Sequence, residues 1–349
     1  MPATDTTTLR AVIATPLSDD LVAMIAEREP RLEVVHDASL MSPASDDWMV
    51  KFERDADQQK RYEAYVDSAD VLFGVPDQSG TALARTIRAN PDLKWVHTIP
   101  AGGGAQVKAA KLDEQELERV VFTTSAGVHA QPLSEFALFG VLAGLKQLPR
   151  LRAAQAKAEW TQREAMGSIT ETTVAVVGLG GIGRRTAALL AGLGMTVVGV
   201  HRRQVEAEGV SRIEPVEKLA EVLAEVDAVV LALPGTDATR HMLSREVLEA
   251  VKPGLIVVNV GRGTTVDEPA LIEALQDGRV SSATLDVTEV EPLPADSPLW
   301  GLDNVVIAPH TAAISPHEPR RIAELFVENA RRLLDGEEQL NVVDTVEFY

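Results

Sequence analysis

The stretch TTVAVVGLGGIGRRTAALLAGLG, residues 172–194, decides the fold of this chain. The β-branched run VAVVG is typical of a strand buried on both faces, and the apolar run after the glycines predicts a helix. Gly178, Gly180 and Gly183 keep the G-x-G-x-x-G spacing. In that spacing the first glycine permits a tight turn, the second lets a pyrophosphate approach the backbone, and the third lets the helix pack on the strand. The stretch predicts a dinucleotide site that includes Gly181 and Ile182, and the alternative is a glycine turn in a generic βαβ unit.

The residues after the next strand bear on which dinucleotide is bound. Strand TVVGV ends at Val200, and His201, Arg202 and Arg203 follow. A carboxylate at this place would bind the ribose hydroxyls and repel a 2′-phosphate, whereas an arginine pairs with a phosphate. The sequence therefore favours NADP over NAD, with Arg202 ahead of Arg203. The alternative is that both arginines are solvated surface residues.

Composition limits the class of protein. The chain has 349 residues, 45% of them hydrophobic, which predicts two domains with substantial cores. Its net charge of −19 argues against a nucleic-acid or anionic-membrane binder. No apolar run is long enough for a membrane span, no signal peptide is evident, and the absence of cysteine excludes disulfides and cysteine-bound metal. We expect a cytoplasmic protein without a bound metal.

Strands alternate with helices along most of the chain, which predicts parallel sheets. Residues 9–99 contain four strand patterns and residues 173–309 contain six. A long helix is predicted from about Pro132 to Trp160 with a break near Pro149, and a last helix ends at Gly336, its expected C-cap. The predicted fold class is therefore α/β, with two Rossmann-like, doubly wound parallel-sheet domains.

Polar residues follow three of the later strands. NVGRG places Arg262 after one strand, LDVTEVEPLP places Asp286 and Glu291 after another, and IAPHTAAIS places His310 after a third. Ligands of doubly wound sheets bind at the carboxyl ends of strands. An arginine, a carboxylate and a histidine are therefore expected to converge at one site. Taken singly, each of these residues is equally well explained as a surface or turn residue.

The chain resembles the D-isomer-specific 2-hydroxyacid dehydrogenases, and is most similar to their glyoxylate/hydroxypyruvate reductase branch. The similarity rests on GLGGIG, NVGRGTTVDEPALIEAL, LDVTEVEPLP and PLWGLDNVVIAPHTAA, which occur in the family's order. The resemblance implies that Arg262 binds the substrate carboxylate and carbonyl, that His310 exchanges a proton with the keto oxygen, and that Glu291 supports His310. It also implies that Asp286 holds the nicotinamide carboxamide.

Further site residues follow from the same resemblance. In IPAGGGAQ, residues 99–106, the glycines leave backbone N–H groups open to an anion, and a flexible loop is the alternative. The predicted substrate contacts outside the motifs above are Val75, Ala101, Gly102 and Gly103. The predicted cofactor contacts outside the glycine turn and the arginines are Leu233, Pro234, Thr239, Val260, Asp286 and Ala312.

The resemblance also implies the domain organisation. We expect a substrate-binding domain of residues 1–125 and 317–349, a dinucleotide-binding domain of residues 126–316, and an active site in the cleft between them. The helical region 127–160 matches the part that pairs family members into homodimers. The charged segment 42–64, with Trp48 and Phe52, either closes over the substrate or lies on the surface.

The predicted function is reduction of a small 2-oxoacid by NAD(P)H to a D-2-hydroxyacid, with NADP preferred and NAD as the alternative cofactor. Glyoxylate and hydroxypyruvate are the first expected substrates. A D-3-phosphoglycerate dehydrogenase-like enzyme is the second reading, although no basic site for a substrate phosphate is evident. A dinucleotide-sensing corepressor, which acts through protein contacts without turnover, is a third.

Overall fold

The computed structural model describes residues 8–43, 52–346 and 348. The chain divides into two compact units, which we call unit 1 (residues 1–129 and 315–349) and unit 2 (residues 130–314). The crossings implied by the family resemblance, after residues 125 and 316, lie four residues before and two residues after those of the structure. Trp48 lies outside the described residues.

Unit 1 contains a five-stranded parallel sheet with the strand order β2-β1-β3-β4-β5. Its strands are β1 (Leu9–Ile13), β2 (Leu32–Val35), β3 (Val71–Phe73), β4 (Trp95–Thr98) and β5 (Val121–Thr124). Strand β5 was not predicted from the sequence. This strand has four residues and directly follows a charged helix, without the glycine or proline that marks most strand starts.

The helices of unit 1 cover both faces of this sheet. The first five are α1 (Asp19–Arg28), α2 (Ala56–Val66), α3 (Gly80–Ala89), α4 (Gly104–Ala109) and α5 (Glu114–Arg119). Within the charged segment 42–64, α2 starts at an Asp55 capping box, whose carboxylate accepts from the N–H groups of Asp57 and Gln58. Phe52 lies before this helix, and the side chain of Arg54 lies over its ring.

Unit 2 contains a seven-stranded parallel sheet with the order β12-β11-β10-β9-β6-β7-β8. Its strands are β6 (Thr173–Val177), β7 (Thr196–Val200), β8 (Val210–Glu214), β9 (Ala228–Leu231), β10 (Leu255–Asn259), β11 (Val280–Leu285) and β12 (Val305–Ile307). Strand β8 was not predicted from the sequence. This strand is at the edge of the sheet and two of its five residues are exposed, so it lacks the apolar run of a central strand.

The helices of unit 2 are α6 (Ala130–Leu145), α7 (Leu148–Ala156), α8 (Gly181–Gly192), α9 (Leu219–Leu223), α10 (Arg245–Glu249) and α11 (Glu268–Gln276). The prediction that this helical region extends to Trp160 is wrong. The break comes at Gln147, which has a left-handed φ of 51°, and α7 stops at Ala156. Trp160 is fully exposed in the non-helical segment that follows.

Alternate strand residues fill two apolar layers of unit 2, one on each face of the sheet. Val174 and Val176 of β6 belong to the layer that packs against α6 and α8. Ala175 and Val177 belong to the layer that packs against α9, α10 and α11. Both faces of the strand are therefore covered, as doubly wound parallel sheets require. The α/β fold class predicted from the sequence is confirmed.

The last helix, α12 (Glu318–Asp335), returns to unit 1 and ends at Gly336 in the left-handed conformation, as predicted. Its apolar face packs on β1, β3 and β4. The ring of Phe326 stacks on Trp95 with centroids 4.7 Å apart and meets the edge of Phe73 at 5.2 Å. Within the described residues, no helix is both long and apolar enough to cross a membrane.

Beside these rings lies His97, which is fully buried and neutral. Ser125 Oγ donates its only proton to the carbonyl of Thr98 at 3.0 Å, so it accepts from His97 Nε2 at 3.2 Å. In this neutral ring Nδ1 carries no proton, so it accepts from Thr123 Oγ1 at 2.8 Å, and Thr123 Oγ1 accepts from Trp95 Nε1 at 2.8 Å. Because burial penalises the charged ring, the pKa of His97 falls to about 3.

Candidate cofactor and active site

The glycine turn joins β6 to α8 at the centre of the unit 2 sheet. Gly178 has a φ of 94°, which favours glycine, and a Cβ there would lie 2.7 Å from the carbonyl oxygen of Ala232. A Cβ on Gly183 would lie 1.8 Å from the carbonyl oxygen of Gly178. A Cβ on Gly180 would meet no atom within 4 Å. The first and third glycines are thus required for packing, while the space beside Gly180 fits an approaching phosphate at the helix start.

His201 lies beside this turn, at the end of β7. The backbone N–H of Leu179 donates to His201 Nδ1 at 3.3 Å. Burial of the ring lowers the pKa of His201, and the positive charges of Arg202, Arg184 and Arg203 lower it further. The ring is therefore a neutral hydrogen-bond acceptor that holds the glycine turn, a role that the sequence did not reveal.

The two predicted arginines after β7 are free to bind a ligand. Arg202 and Arg203 are both exposed. In the part of the chain that the structure describes, neither side chain forms a hydrogen bond or ion pair. Their cations are consequently uncompensated, in a protein whose net charge is −19.

The loop after β9 carries three of the predicted cofactor contacts. Leu233 is buried in an apolar layer, and Pro234 is exposed. The hydroxyl of Thr239 donates to the carbonyl of Pro234 at 2.6 Å and accepts from the N–H of Thr236 at 3.0 Å. Thr239 thus closes its own loop. Any contact that it makes with a cofactor comes in addition to these bonds.

The loop after β10 presents Arg262. Asn259 is buried and fixes this loop, because its side chain accepts from the N–H of Gly261 at 3.0 Å and donates to the carbonyl of Arg262 at 3.1 Å. The guanidinium of Arg262 is exposed and donates to the carbonyl of Gly261 at 2.7 Å. Val260 was predicted as a cofactor contact, but its side chain is buried in a core layer and its N–H donates to Leu231.

Asp286 follows β11 and is almost fully buried. Its Oδ1 accepts from the backbone N–H groups of Thr311 and Ala312, both at 2.9 Å. Its own carbonyl accepts from the N–H of His310 at 2.9 Å. Asp286 therefore fixes the backbone of the histidine loop, and no described residue donates to its Oδ2. Ala312 takes part through its backbone N–H.

Glu291 and His310 form a pair at the same edge of the sheet. Glu291 Oε2 accepts from His310 Nδ1 at 2.8 Å, and Glu291 Oε1 accepts from the N–H of Thr288 at 3.2 Å. The side chain of His310 is 46% exposed, and its Nε2 has no partner among the described residues. His310 has a φ of 53°, a strained conformation that clusters at functional sites. The pair leaves one imidazole nitrogen available for proton exchange.

Neighbouring strands bring these side chains to one edge of the unit 2 sheet. Arg262, Asp286 and His310 follow β10, β11 and β12, which are consecutive in the sheet. A Cβ on Gly263, next to Arg262, would lie 1.8 Å from the carbonyl oxygen of Thr288, so the arginine loop packs directly on the glutamate loop. The arrangement can bind an anion and move a proton.

The predicted substrate contacts of unit 1 differ in their environment. Ala101 and Gly102 are exposed after β4, and no described residue accepts from their N–H groups. The expectation of an open N–H is wrong for Gly103, which donates to the carbonyl of Pro100 at 3.1 Å. A Cβ on Gly103 would overlap Thr98, so its glycine is required for packing. Val75 is fully buried in the core and presents no side-chain surface.

Comparison with known protein families gives one family match to this chain. Residues 138–312 match the NAD-binding domain of the D-isomer specific 2-hydroxyacid dehydrogenases. A glyoxylate reductase of Korarchaeum cryptofilum is 35% identical over 75% of this chain and 79% of its own length. An (S)-sulfolactate dehydrogenase of Chromohalobacter salexigens is 34% identical over 70% of this chain and 78% of its own length.

A solved structure resembles the whole chain. It is a D-isomer specific 2-hydroxyacid dehydrogenase from Xanthobacter autotrophicus Py2, in complex with NADPH and MES. The two chains are 33% identical, with a TM-score of 0.77, and the alignment covers 98% of this chain and 100% of the other. The similarity therefore extends over both units.

Proposed function

The chain belongs to the D-isomer specific 2-hydroxyacid dehydrogenase family, and we propose that it reduces glyoxylate and hydroxypyruvate with NADPH. The observation that carries this proposal is the Glu291–His310 pair, with its bond of 2.8 Å and its free Nε2, on the sheet edge that also presents Arg262. The product of hydroxypyruvate would be D-glycerate.

His310 acts as the acid in this proposal. When its ring is protonated, Nε2–H donates to the keto oxygen of the substrate, and Glu291 stabilises the positive charge through Nδ1–H. In the reverse direction the neutral Nε2 accepts the hydroxyl proton. A bound dinucleotide supplies or accepts the hydride.

Arg262 binds the substrate acid in this proposal. The exposed guanidinium of Arg262 pairs with the carboxylate, for which its planar fork is suited. In unit 1, the open N–H groups of Ala101 and Gly102 are donors that can bind an anion. The hydrogen bond from Arg262 Nη1 to the carbonyl of Gly261 holds the arginine side chain in place before the substrate binds.

Asp286 and the glycine turn hold the dinucleotide. The free Oδ2 of Asp286 accepts from the carboxamide N–H, while its Oδ1 keeps the histidine loop in place. The space beside Gly180 admits the pyrophosphate. The preference for NADP rests on Arg202 and Arg203, which are exposed and uncompensated where an NAD-specific site carries a carboxylate.

The test compares kcat/KM for glyoxylate, hydroxypyruvate, sulfopyruvate and 3-phosphohydroxypyruvate, each with NADPH and with NADH. We expect turnover of the first two and a preference for NADPH that collapses in Arg202→Asp. His310→Gln should lower kcat by at least about 100-fold while NADPH still binds. Equal use of NADH would refute the cofactor preference. Faster turnover of the sulfonate or phosphate acid would refute the substrate assignment.

Absence of turnover with all four acids would contradict the enzymatic proposal. In that case the size of the assembly should be measured with and without NADPH. An assembly that grows with dinucleotide would favour a dinucleotide-sensing protein.

We also propose that the chain forms a homodimer through the surface of α6, α7 and the segment after α7. This surface exposes Trp160 completely and Phe139, Leu151 and Met166 by about two-fifths each. Exposed apolar side chains concentrated in one region are typical of an interface. Light scattering should show a dimer in the wild type and a monomer in the double variant Trp160→Ser, Phe139→Ser. A monomeric wild type would refute the proposal.

A further inference from the structure

A third arginine approaches the segment that follows β7. Arg184 lies in the first turn of α8, one residue after the last glycine of the turn. Its Nε donates to the carbonyl of Leu179 at 2.9 Å, and its Nη1 donates to the carbonyl of Glu206 at 2.8 Å. The side chain therefore spans from the glycine turn to the segment 201–206, which carries Arg202 and Arg203.

The positive charge of Arg184 is not neutralised by a carboxylate among the described residues. It forms no ion pair with a carboxylate among the described residues, and both of its hydrogen bonds go to backbone carbonyls. Its cation is close enough to the ring of His201 to lower the pKa of that ring, after burial and Arg202. The positive charges of three arginines thus act on one histidine at the end of β7.

Such an arrangement favours a dianionic ligand. Carbonyl partners orient a guanidinium without neutralising it, and its remaining N–H groups stay available to donate. Because both bonded atoms are backbone carbonyl oxygens, the guanidinium is held in place before any ligand binds. Preorganised, uncompensated arginines are the usual partners of a phosphate.

We propose that Arg184 is a specificity-determining residue that binds the 2′-phosphate of NADP together with Arg202 and Arg203. This inference rests on the NADPH preference proposed above and extends it to a residue outside the segment after β7. Arg185 offers a matched control, since it is the next residue of the same helix, is also exposed, and donates to Gln131 at 2.6 Å.

The experiment measures binding of adenosine 2′,5′-bisphosphate and of 5′-AMP by calorimetry, because the two differ only in the 2′-phosphate. Wild type should bind the bisphosphate more tightly. Arg184→Ala and Arg184→Gln should weaken the bisphosphate at least about 10-fold, as expected for a charge-assisted bond, and 5′-AMP less than 2-fold. Arg185→Ala should bind both like wild type. The glutamine variant keeps the side-chain length and a donor, so it separates loss of charge from loss of fold.

The outcomes distinguish this inference from the proposal beneath it. An Arg184 variant that keeps the wild-type preference for the bisphosphate overturns the role of Arg184 alone. An equal loss of both nucleotides also overturns it, because Arg184 would then only hold the turn. Equal binding of both nucleotides by the wild type overturns the NADP preference and the role of Arg184 with it.

Discussion

Replacing Gly180 by alanine separates the two functions of the glycine turn. The added Cβ would meet no protein atom within 4 Å, and the φ of −77° at this residue is accessible to alanine. The protein should therefore fold normally, whereas the methyl group occupies the space through which a phosphate reaches the backbone. Gly183→Ala is the opposite case, since its Cβ would lie 1.8 Å from a carbonyl oxygen.

The expected magnitudes follow from these contacts. A glycine-to-alanine change at a compatible residue stabilises by about 0.4–1 kcal/mol, which is about 1–4 °C for a unit of the size of unit 2. NADPH at about 100 times its Kd stabilises the wild type by ~2.7 kcal/mol, or about 5–11 °C. A 100-fold loss of affinity in Gly180→Ala would reduce that shift to about 1–2 °C at the same concentration. Gly183→Ala should lower the free energy of unfolding by about 1–3 kcal/mol in the absence of ligand.

The assay is thermal unfolding with and without NADPH, together with Kd from cofactor fluorescence. Gly192→Ala is the control on the same helix, because a Cβ there also meets no atom within 4 Å. It should unfold at or above the wild-type temperature and keep the full NADPH shift. A Gly180→Ala variant with wild-type affinity for NADPH would refute the assignment of this turn as the phosphate site.

Three further predictions test the neighbouring loops and the core of unit 1. Asn259→Ala removes both bonds that fix the Arg262 loop and should raise KM for the oxoacid, with ~2 kcal/mol lost in urea unfolding; an unchanged KM would contradict this. Glu291→Gln keeps a hydrogen-bond partner for His310 but not its charge, so kcat should fall about 10-fold with NADPH affinity unchanged; a wild-type kcat would exclude electrostatic support. The pKa of about 3 for His97 lies below the usual 6.5, so a proton binds only the unfolded chain between these values. The stability that neutral His97 contributes is complete above pH 6.5 and is lost as pH falls, by up to ~1.4 kcal/mol per pH unit. Urea unfolding at pH 7 and pH 5 should therefore show a weaker pH dependence of stability in His97→Gln than in wild type.

The sequence predicted those parts of the site that depend on local order. A glycine spacing between a strand and a helix is sufficient to predict the turn, because the three glycines lie within six consecutive residues. The positions of Arg262, Asp286 and His310 after consecutive strands were predicted for the same reason: parallel strands present their carboxyl ends at one edge. The membership of the family was also predicted and is confirmed.

Other features depend on packing between segments that are distant in sequence. The hydrogen bonds of Arg184 were not predicted because one of them depends on the approach of α8 to the carbonyl of Glu206, 22 residues later. Gly103 was expected to bind an anion, but its contact with Thr98 requires glycine there for another reason. A basic residue directly after the third glycine of the motif is the signal that would have pointed to Arg184.

The two crossings of the chain have a consequence for its synthesis. Unit 2 is one continuous segment, residues 130–314, whereas unit 1 needs α12, which follows that segment in the chain. Until α12 emerges from the ribosome, the apolar surface around Phe73 and Trp95 lacks Phe326, its stacking partner. Unit 1, whose first strands are translated first, is therefore completed last. Unit 2 can fold before α12, the final helix of unit 1, has been synthesised.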